Sequence, residues 1–168
     1  LMGERLMTAA NSSKRENGPI FASTRFGNVL GSSGSVIPIF RNQIFNGGPV
    51  TLTDKNMTRF VMSIKEAVEL VLNSVIEAKG GEVFVTKMPV MRIEDLAIAM
   101  IEALCTKDMK IIETGSKPGE KLYEELMSDE ETRRAIELDK FFSILPAFKG
   151  IYSDIDYNYF AIVSRLVE

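Results

Sequence analysis

The chain has 168 residues, 45% of them hydrophobic and 26% charged, which suits a globular domain with a buried core and excludes a disordered segment. A net charge of -3 excludes a dominant basic surface for nucleic acid or an anionic membrane, and no stretch has the length of a membrane span or the pattern of a signal peptide, so a cytoplasmic protein without either partner is expected. A single cysteine, Cys105, excludes an internal disulfide, and the absence of histidine removes imidazole acid/base chemistry and leaves no cluster with zinc spacing.

Met2 to about Ser13 reads as a helix, with Leu6, Ala9 and Ala10 at helical spacing, and Asn17-Gly18-Pro19 breaks it before a strand over Ile20 to Phe26. Lys14 and Arg15 between them read as a solvated loop. The run TRFGNVLGSSGSVIPIF, Thr24 to Phe40, then breaks from a strand pattern into Gly31, Ser32, Ser33 and Gly34 and restarts as a helix. Backbone N–H groups at such a junction suit a phosphate, and the same composition also makes an ordinary surface loop. Ser35 is placed to cap a helix marked by Val36, Ile37, Phe40 and Ile44, which Asn46-Gly47-Gly48-Pro49 ends before a short strand at Val50 to Leu52.

Ser63 and Glu66 form an S-x-x-E capping box, followed by Ile64, Ala67, Val68, Val71, Leu72, Val75 and Ile76 as an apolar face that lasts to Gly80-Gly81. Glu82 to Thr86 reads as a strand, Pro89 as punctuation, and Ile93, Leu96, Ala97, Met100, Ile101 and Leu104 as a second helical face, with Cys105 at its end a small buried side chain. Ile111-Ile112 is strand-like, and Leu122, Tyr123, Leu126 and Met127 predict a helix after Pro118-Gly119. Strands alternating with helices predict an α/β fold, and the nine scattered methionines read as core filler.

Three polar residues stand in contexts that carry chemistry. Asn28, three residues before the Gly/Ser turn, either caps its own turn or aims its amide at a ligand beyond the strand end. Arg59, within MTRF at Met57 to Phe60, is either half of a surface ion pair or a guanidinium fork for two phosphate oxygens. Glu120, within SKPGEKLYEEL at Ser116 to Leu126, is either a first-turn glutamate favoured by a helix dipole or a carboxylate that accepts hydrogen bonds from hydroxyl groups.

Together these segments resemble one family. From about Met2 to about Pro146, including ELDKFFSILP at Glu137 to Pro146, the chain is similar to the carboxy-terminal half of extended short-chain dehydrogenase/reductases that act on UDP-sugars. The nearest are the UDP-N-acetylglucosamine 4,6-dehydratases and related capsular polysaccharide biosynthesis proteins. The resemblance implies one domain part over residues 1–146 with an unmatched tail at 147–168, in a Rossmann-like α/β fold that lacks its amino-terminal dinucleotide-binding half. It implies that Asn28 contacts the phosphates of a nucleotide-sugar, that Ser35, Val36 and Pro38 surround uracil and its phosphates largely through backbone groups, and that Thr51 faces the base. Arg59 then binds phosphate and Glu120 takes the ribose hydroxyls. Lys117 stands where the family usually has arginine, so a paired contact becomes a point charge. Phe26 and Gly27 match positions near a nicotinamide, although Phe26 reads equally as a core residue.

The reaction implied oxidises the sugar at C4 with NAD(P), removes a proton from C5 and hydroxyl from C6, and returns the hydride to C6. Its glycine-rich dinucleotide loop, Asp-Lys pair and Tyr/Met-x-x-x-Lys motif lie upstream of the matched region, and GNVLGSSG at Gly27 to Gly34 is not G-x-G-x-x-G. The expectation is therefore the UDP-N-acetylhexosamine-binding portion of an NAD(P)-dependent 4,6-dehydratase in surface polysaccharide biosynthesis, with no turnover by the isolated chain. A UDP-sugar 4-epimerase fragment and a non-catalytic nucleotide-sugar-binding module would share the same residues. The expected partners are a UDP-sugar and either a second copy of the chain or the missing amino-terminal half, because the strand Ile20 to Phe26 otherwise exposes an open edge.

Overall fold

The computed structural model describes residues 2–13, 17–104, 108–115, 119–148 and 154–159, so Lys14, Arg15, Cys105 and Lys117 lie outside the described residues. In chain order the elements are α1 (Met2–Ser12), β1 (Ser23–Arg25), β2 (Asn28–Val29), α2 (Val36–Phe45), β3 (Val50–Leu52), β4 (Thr58–Met62) and α3 (Ile64–Glu77). They continue with β5 (Val83–Thr86), β6 (Val90–Arg92), α4 (Ile93–Leu104), β7 (Ile111–Glu113), α5 (Asp129–Thr132), β8 (Ala135–Glu137) and β9 (Phe141–Ile144). The expected α/β class holds. No helix among the described residues is long and apolar enough to cross a membrane.

The elements fall into two units, of which the first comprises Leu1–Phe26, Lys65–Lys87 and Leu126–Glu168. Its sheet has the order β1-β5-β9-β8, with β1 parallel to β5 and the other pairs antiparallel. The period of two along β5 decides its packing. Val83 and Val85 join Ile144 on one side, while Phe84 meets Leu70, Phe141, Leu145 and Tyr159 on the other. Phe84 and Phe141 sit edge to face, with ring centroids 5.5 Å apart. In α3 the buried stripe is Ala67, Leu70 and Ser74, narrower than the apolar face read from sequence, and Val75 and Ile76 are exposed.

A buried polar knot fastens this unit. Glu82 is fully buried, and its carboxylate accepts hydrogen bonds from the Lys79 and Gly80 N–H groups, each at 2.6 Å, and from the Tyr159 hydroxyl at 2.9 Å. Ser143 Oγ lies 2.9 Å from the same hydroxyl, and burial pushes the Tyr159 phenol well above its usual range, so it stays protonated. Tyr159→Phe is expected to cost about 1–2 kcal/mol in urea unfolding, because it strips one donor from a buried carboxylate. A loss near zero would show the knot to be dispensable.

The second unit comprises Gly27–Ile64 and Met88–Glu125. It holds two small sheets, β2-β4-β6 and β3-β7, around a core of Phe40, Ile44, Val50, Leu52, Met57, Ile93 and Ala97 contributed by α2, α4, β3 and their flanks. Gly27 is a glycine for a spatial reason: a Cβ there would stand 2.5 Å from Met88 Sδ and 2.8 Å from the Phe60 carbonyl oxygen.

Three sequence expectations are corrected. The strand expected over Ile20 to Phe26 is formed only at Ser23–Arg25, since the Phe21 N–H is taken by the Asn11 side-chain oxygen at 3.2 Å. The helix expected from Leu122 to Met127 is irregular chain. Ser35 occupies the cap position of α2 with extended backbone, yet its hydroxyl makes no cap bond. The strands β2, β4, β6, β8 and β9 and the short helix α5 had no reading from residue pattern.

Candidate functional site

Register brings the candidate residues of the second unit together. In the parallel β2–β4 pair Asn28 lies opposite Val61, and in the antiparallel β4–β6 pair Arg59 lies opposite Met91. Partners in register share a face, and residues two apart on a strand share it too, so Asn28, Arg59, Val61 and Met91 present their side chains to one side. That side is one wall of a cavity of about 350 Å³, within the range of small-molecule sites. Phe40, Met57 and Ile93 supply apolar lining. Ser35 and Val36 enter at the start of α2, Thr51, Leu52 and Thr53 at the end of β3, and Thr114 and Glu120 after β7.

Several of these groups are held before any ligand arrives. Thr51 is clamped by Gln43, whose Nε2 donates to Thr51 Oγ1 at 2.7 Å and whose Oε1 accepts from the Thr51 N–H at 3.0 Å. The Thr53 hydroxyl donates to Glu120 Oε1 at 3.2 Å. Arg59 keeps 14% of its side chain exposed, and its Nη1 donates to the carbonyl oxygens of Thr58 at 2.8 Å and Leu122 at 3.2 Å. Glu124 Oε1 stands 3.7 Å from Arg59 Nε. With its amide nitrogen turned toward acceptors, Asn28 donates to Glu124 Oε2 at 3.2 Å and to the Phe60 carbonyl at 3.1 Å.

The Gly/Ser turn does what its composition allows. Gly31 and Gly34 take φ of 76° and 78°, a region open to glycine, and the Ser32 and Ser35 N–H groups close the turn on Val29 O and Ser32 O. Ser35 Oγ is buried and has no hydrogen-bond partner among the described residues. A buried hydroxyl left unpaired in a cavity wall is costly unless a ligand meets it.

Of the residues singled out from sequence, Asn28, Ser35, Val36, Thr51, Arg59 and Glu120 line this one cavity. Pro38 belongs to α2 and is not among the lining residues, and Lys117 lies outside the described residues. Phe26 belongs to the first unit, where it lines a shallow apolar depression with Ala67, Val68, Val71 and Leu72. Residues missed by sequence reasoning are Gln43, Thr53, Thr114 and Glu124. The spacing in TLTD at Thr51 to Asp54 hinted at Thr53, two residues from Thr51 on the same strand face, whereas nothing local marks Glu124.

The fold and its cavity define a mixed α/β chain with a ligand site of one arginine, one amide and hydroxyl groups over an apolar floor. The chain belongs to the polysaccharide biosynthesis protein family, whose model matches residues 1–146. With that family goes the fold expected from sequence, the carboxy-terminal part of an extended short-chain dehydrogenase. The chain is 49% identical over 152 residues to the uncharacterized membrane protein MJ1061 of Methanocaldococcus jannaschii, covering 87% of this chain and 46% of that one. It is 37% identical over 159 residues to the UDP-N-acetylglucosamine 4,6-dehydratase (inverting) of Campylobacter jejuni subsp. jejuni serotype O:2, covering 94% and 46%. Among solved structures, Pen from Bacillus thuringiensis superposes with a TM-score of 0.81 at 48% identity, covering 86% of this chain and 45% of that one. The chain thus spans about half the length of these relatives.

Proposed function

We propose that the chain is the nucleotide-sugar-binding portion of an NAD(P)-dependent 4,6-dehydratase acting on a UDP-N-acetylhexosamine in polysaccharide biosynthesis. The observation that carries this reading is the convergence of Arg59, Asn28 and Glu120 on one cavity with an unpaired Ser35 hydroxyl. Arg59 supplies a charge-assisted fork for phosphate, Asn28 an amide beside it, and Glu120, steadied by Thr53, an acceptor for sugar hydroxyls. Thr51 and Val36 flank the place for a base. Lys117 adds a point charge for the phosphates on the strength of the family pattern.

When bound, NAD(P) supplies the hydride carrier. The residues at hand do not form its cradle: the Cβ side of Gly27 is filled by Met88 and Phe60, and Phe26 sits on its own in the other unit. No step is therefore routed through the cofactor within this chain. The chain's contribution is to bind and orient the substrate, and binding alone supplies neither hydride nor proton transfer. A second copy or the family's amino-terminal half completes the assembly against β1, whose outer edge has no strand partner among the described residues.

Calorimetric titration with UDP tests the reading. UDP is expected to bind measurably and uridine more weakly, and the isolated chain given NAD(P) and UDP-N-acetylglucosamine is expected to form no product. Absence of UDP binding would falsify the assignment.

A further inference from the structure

Glu124 sits where a phosphate would compete. Its Oε1 lies 3.7 Å from Arg59 Nε, and its Oε2 accepts from Asn28 Nδ2 at 3.2 Å. One carboxylate thus joins the two side chains assigned to phosphate, and it does so with the charge sign of a phosphate oxygen. The cation is the fixed member of the pair: Arg59 is tied to the Thr58 and Leu122 carbonyls and is 14% exposed, while Glu124 is 41% exposed. An N···O separation of 3.7 Å is an ion pair without a well-formed hydrogen bond, weak enough to exchange. A phosphate that offers paired oxygens at short distance replaces it with the stronger interaction.

We propose that Glu124 is a built-in counterion, which occupies the anion-binding side of Arg59 and Asn28 and is displaced when the diphosphate of a nucleotide enters. The inference rests on the nucleotide-binding reading above. Its consequence is selectivity. A ligand with a doubly charged diphosphate exchanges for the carboxylate, whereas a nucleoside leaves the pair in place and gains nothing from Arg59. Glu124 is a positioning residue in this scheme, since it acts on the ligand through the arginine and the amide.

The test is calorimetry with UDP and with uridine on the parent chain, Glu124→Gln, Arg59→Ala and the double variant. Glu124→Gln keeps the shape and an oxygen for Asn28 but drops the charge, and is expected to bind UDP about threefold tighter, the size of an exposed ion pair's worth. Uridine affinity is expected to stay unchanged. In the Arg59→Ala background the same substitution is expected to change UDP affinity by less than measurement error. Glu124→Ala, which removes charge and reach together, is a second route to the same gain. UDP bound equally or more weakly by Glu124→Gln and Glu124→Ala sinks the counterion but leaves the nucleotide site standing. A gain that persists without Arg59 sinks it as well, because simple repulsion then accounts for the effect. If no form binds UDP, the site and the counterion fall together.

Discussion

Arg25→Ala is expected to lower the stability of the first unit by about 3 kcal/mol in urea unfolding at neutral pH, the loss typical of removing one partner from a desolvated ion pair. Arg25 fills the centre of a three-residue cluster. Its Nε and Nη2 donate to the two Glu4 oxygens at 2.7 and 2.8 Å, and its Nη2 and Nη1 to the two Glu131 oxygens at 2.7 and 3.0 Å. Nη1 also donates to the Leu126 carbonyl at 2.7 Å. The side chains of Arg25, Glu4 and Glu131 keep only 14%, 20% and 13% of their exposure, so alanine would strand two carboxylates with little water. The Ser128 N–H still reaches Glu131 at 2.9 Å, which moderates the loss. Arg25→Lys is expected to fall between parent and alanine, because an ammonium cannot satisfy both carboxylates in plane.

The same cluster sets a pH dependence. The Arg25 hydrogen bond is the largest influence holding the Glu131 carboxyl down to about 2, from an ordinary value of 4.5, and it lowers Glu4 as well. A carboxyl whose folded pKa is depressed contributes fully above its unfolded value and loses that contribution as pH falls through the folded one. The parent is therefore expected to lose stability from about pH 4.5 down toward 2, and Arg25→Ala to show a flatter acid limb. Parallel profiles for parent and variant, or a neutral-pH loss under about 1 kcal/mol, would count against the cluster as a stabilising element.

The contrast between what residue pattern revealed and what it hid follows from where the backbone hydrogen bonds go. The helices α1 to α4 satisfy their own backbone locally, so a 3.6-residue apolar period sufficed to find them. The segment LYEELM carries the same period at Leu122, Tyr123, Leu126 and Met127 and yet is not helical. Leu122 O accepts from the Thr58 N–H and from Arg59, and Leu126 O accepts from Arg25, so carbonyls that a helix would need are taken by residues far away in sequence. The S-x-x-E spacing read at Ser63 recurs at Ser128, where Ser128 Oγ accepts from the Glu131 N–H and Glu131 accepts from the Ser128 N–H. No apolar run follows it, which is why a four-residue helix left no periodicity to read. At the site, Asn28 and Arg59 were legible from the motifs that contain them. Their sharing of one face was not, because β2 has two residues and its register with β4 is a tertiary fact. Glu124 was hidden for the same reason: it reaches Asn28 and Arg59 across the fold.

Arg59→Ala is expected to weaken UDP binding about thirtyfold, the equivalent of roughly 2 kcal/mol for losing charge-assisted hydrogen bonds at a mostly buried guanidinium. Arg59→Lys should recover part of this, since the charge returns without the fork. Lys117→Ala is expected to cost only a few-fold, because an ammonium acts there as a point charge in place of the family's arginine. The order of the three losses carries the argument, as Arg59 is the residue pre-positioned by the Thr58 and Leu122 carbonyls. Alanine also releases the Leu122 carbonyl, but that oxygen keeps the Thr58 N–H at 3.0 Å, so the fold is expected to survive. Thermal unfolding of the variant checks this beside the calorimetry. Equal losses at Arg59 and Lys117, or a folded Arg59→Ala chain that binds UDP like the parent, would remove the arginine from the phosphate site.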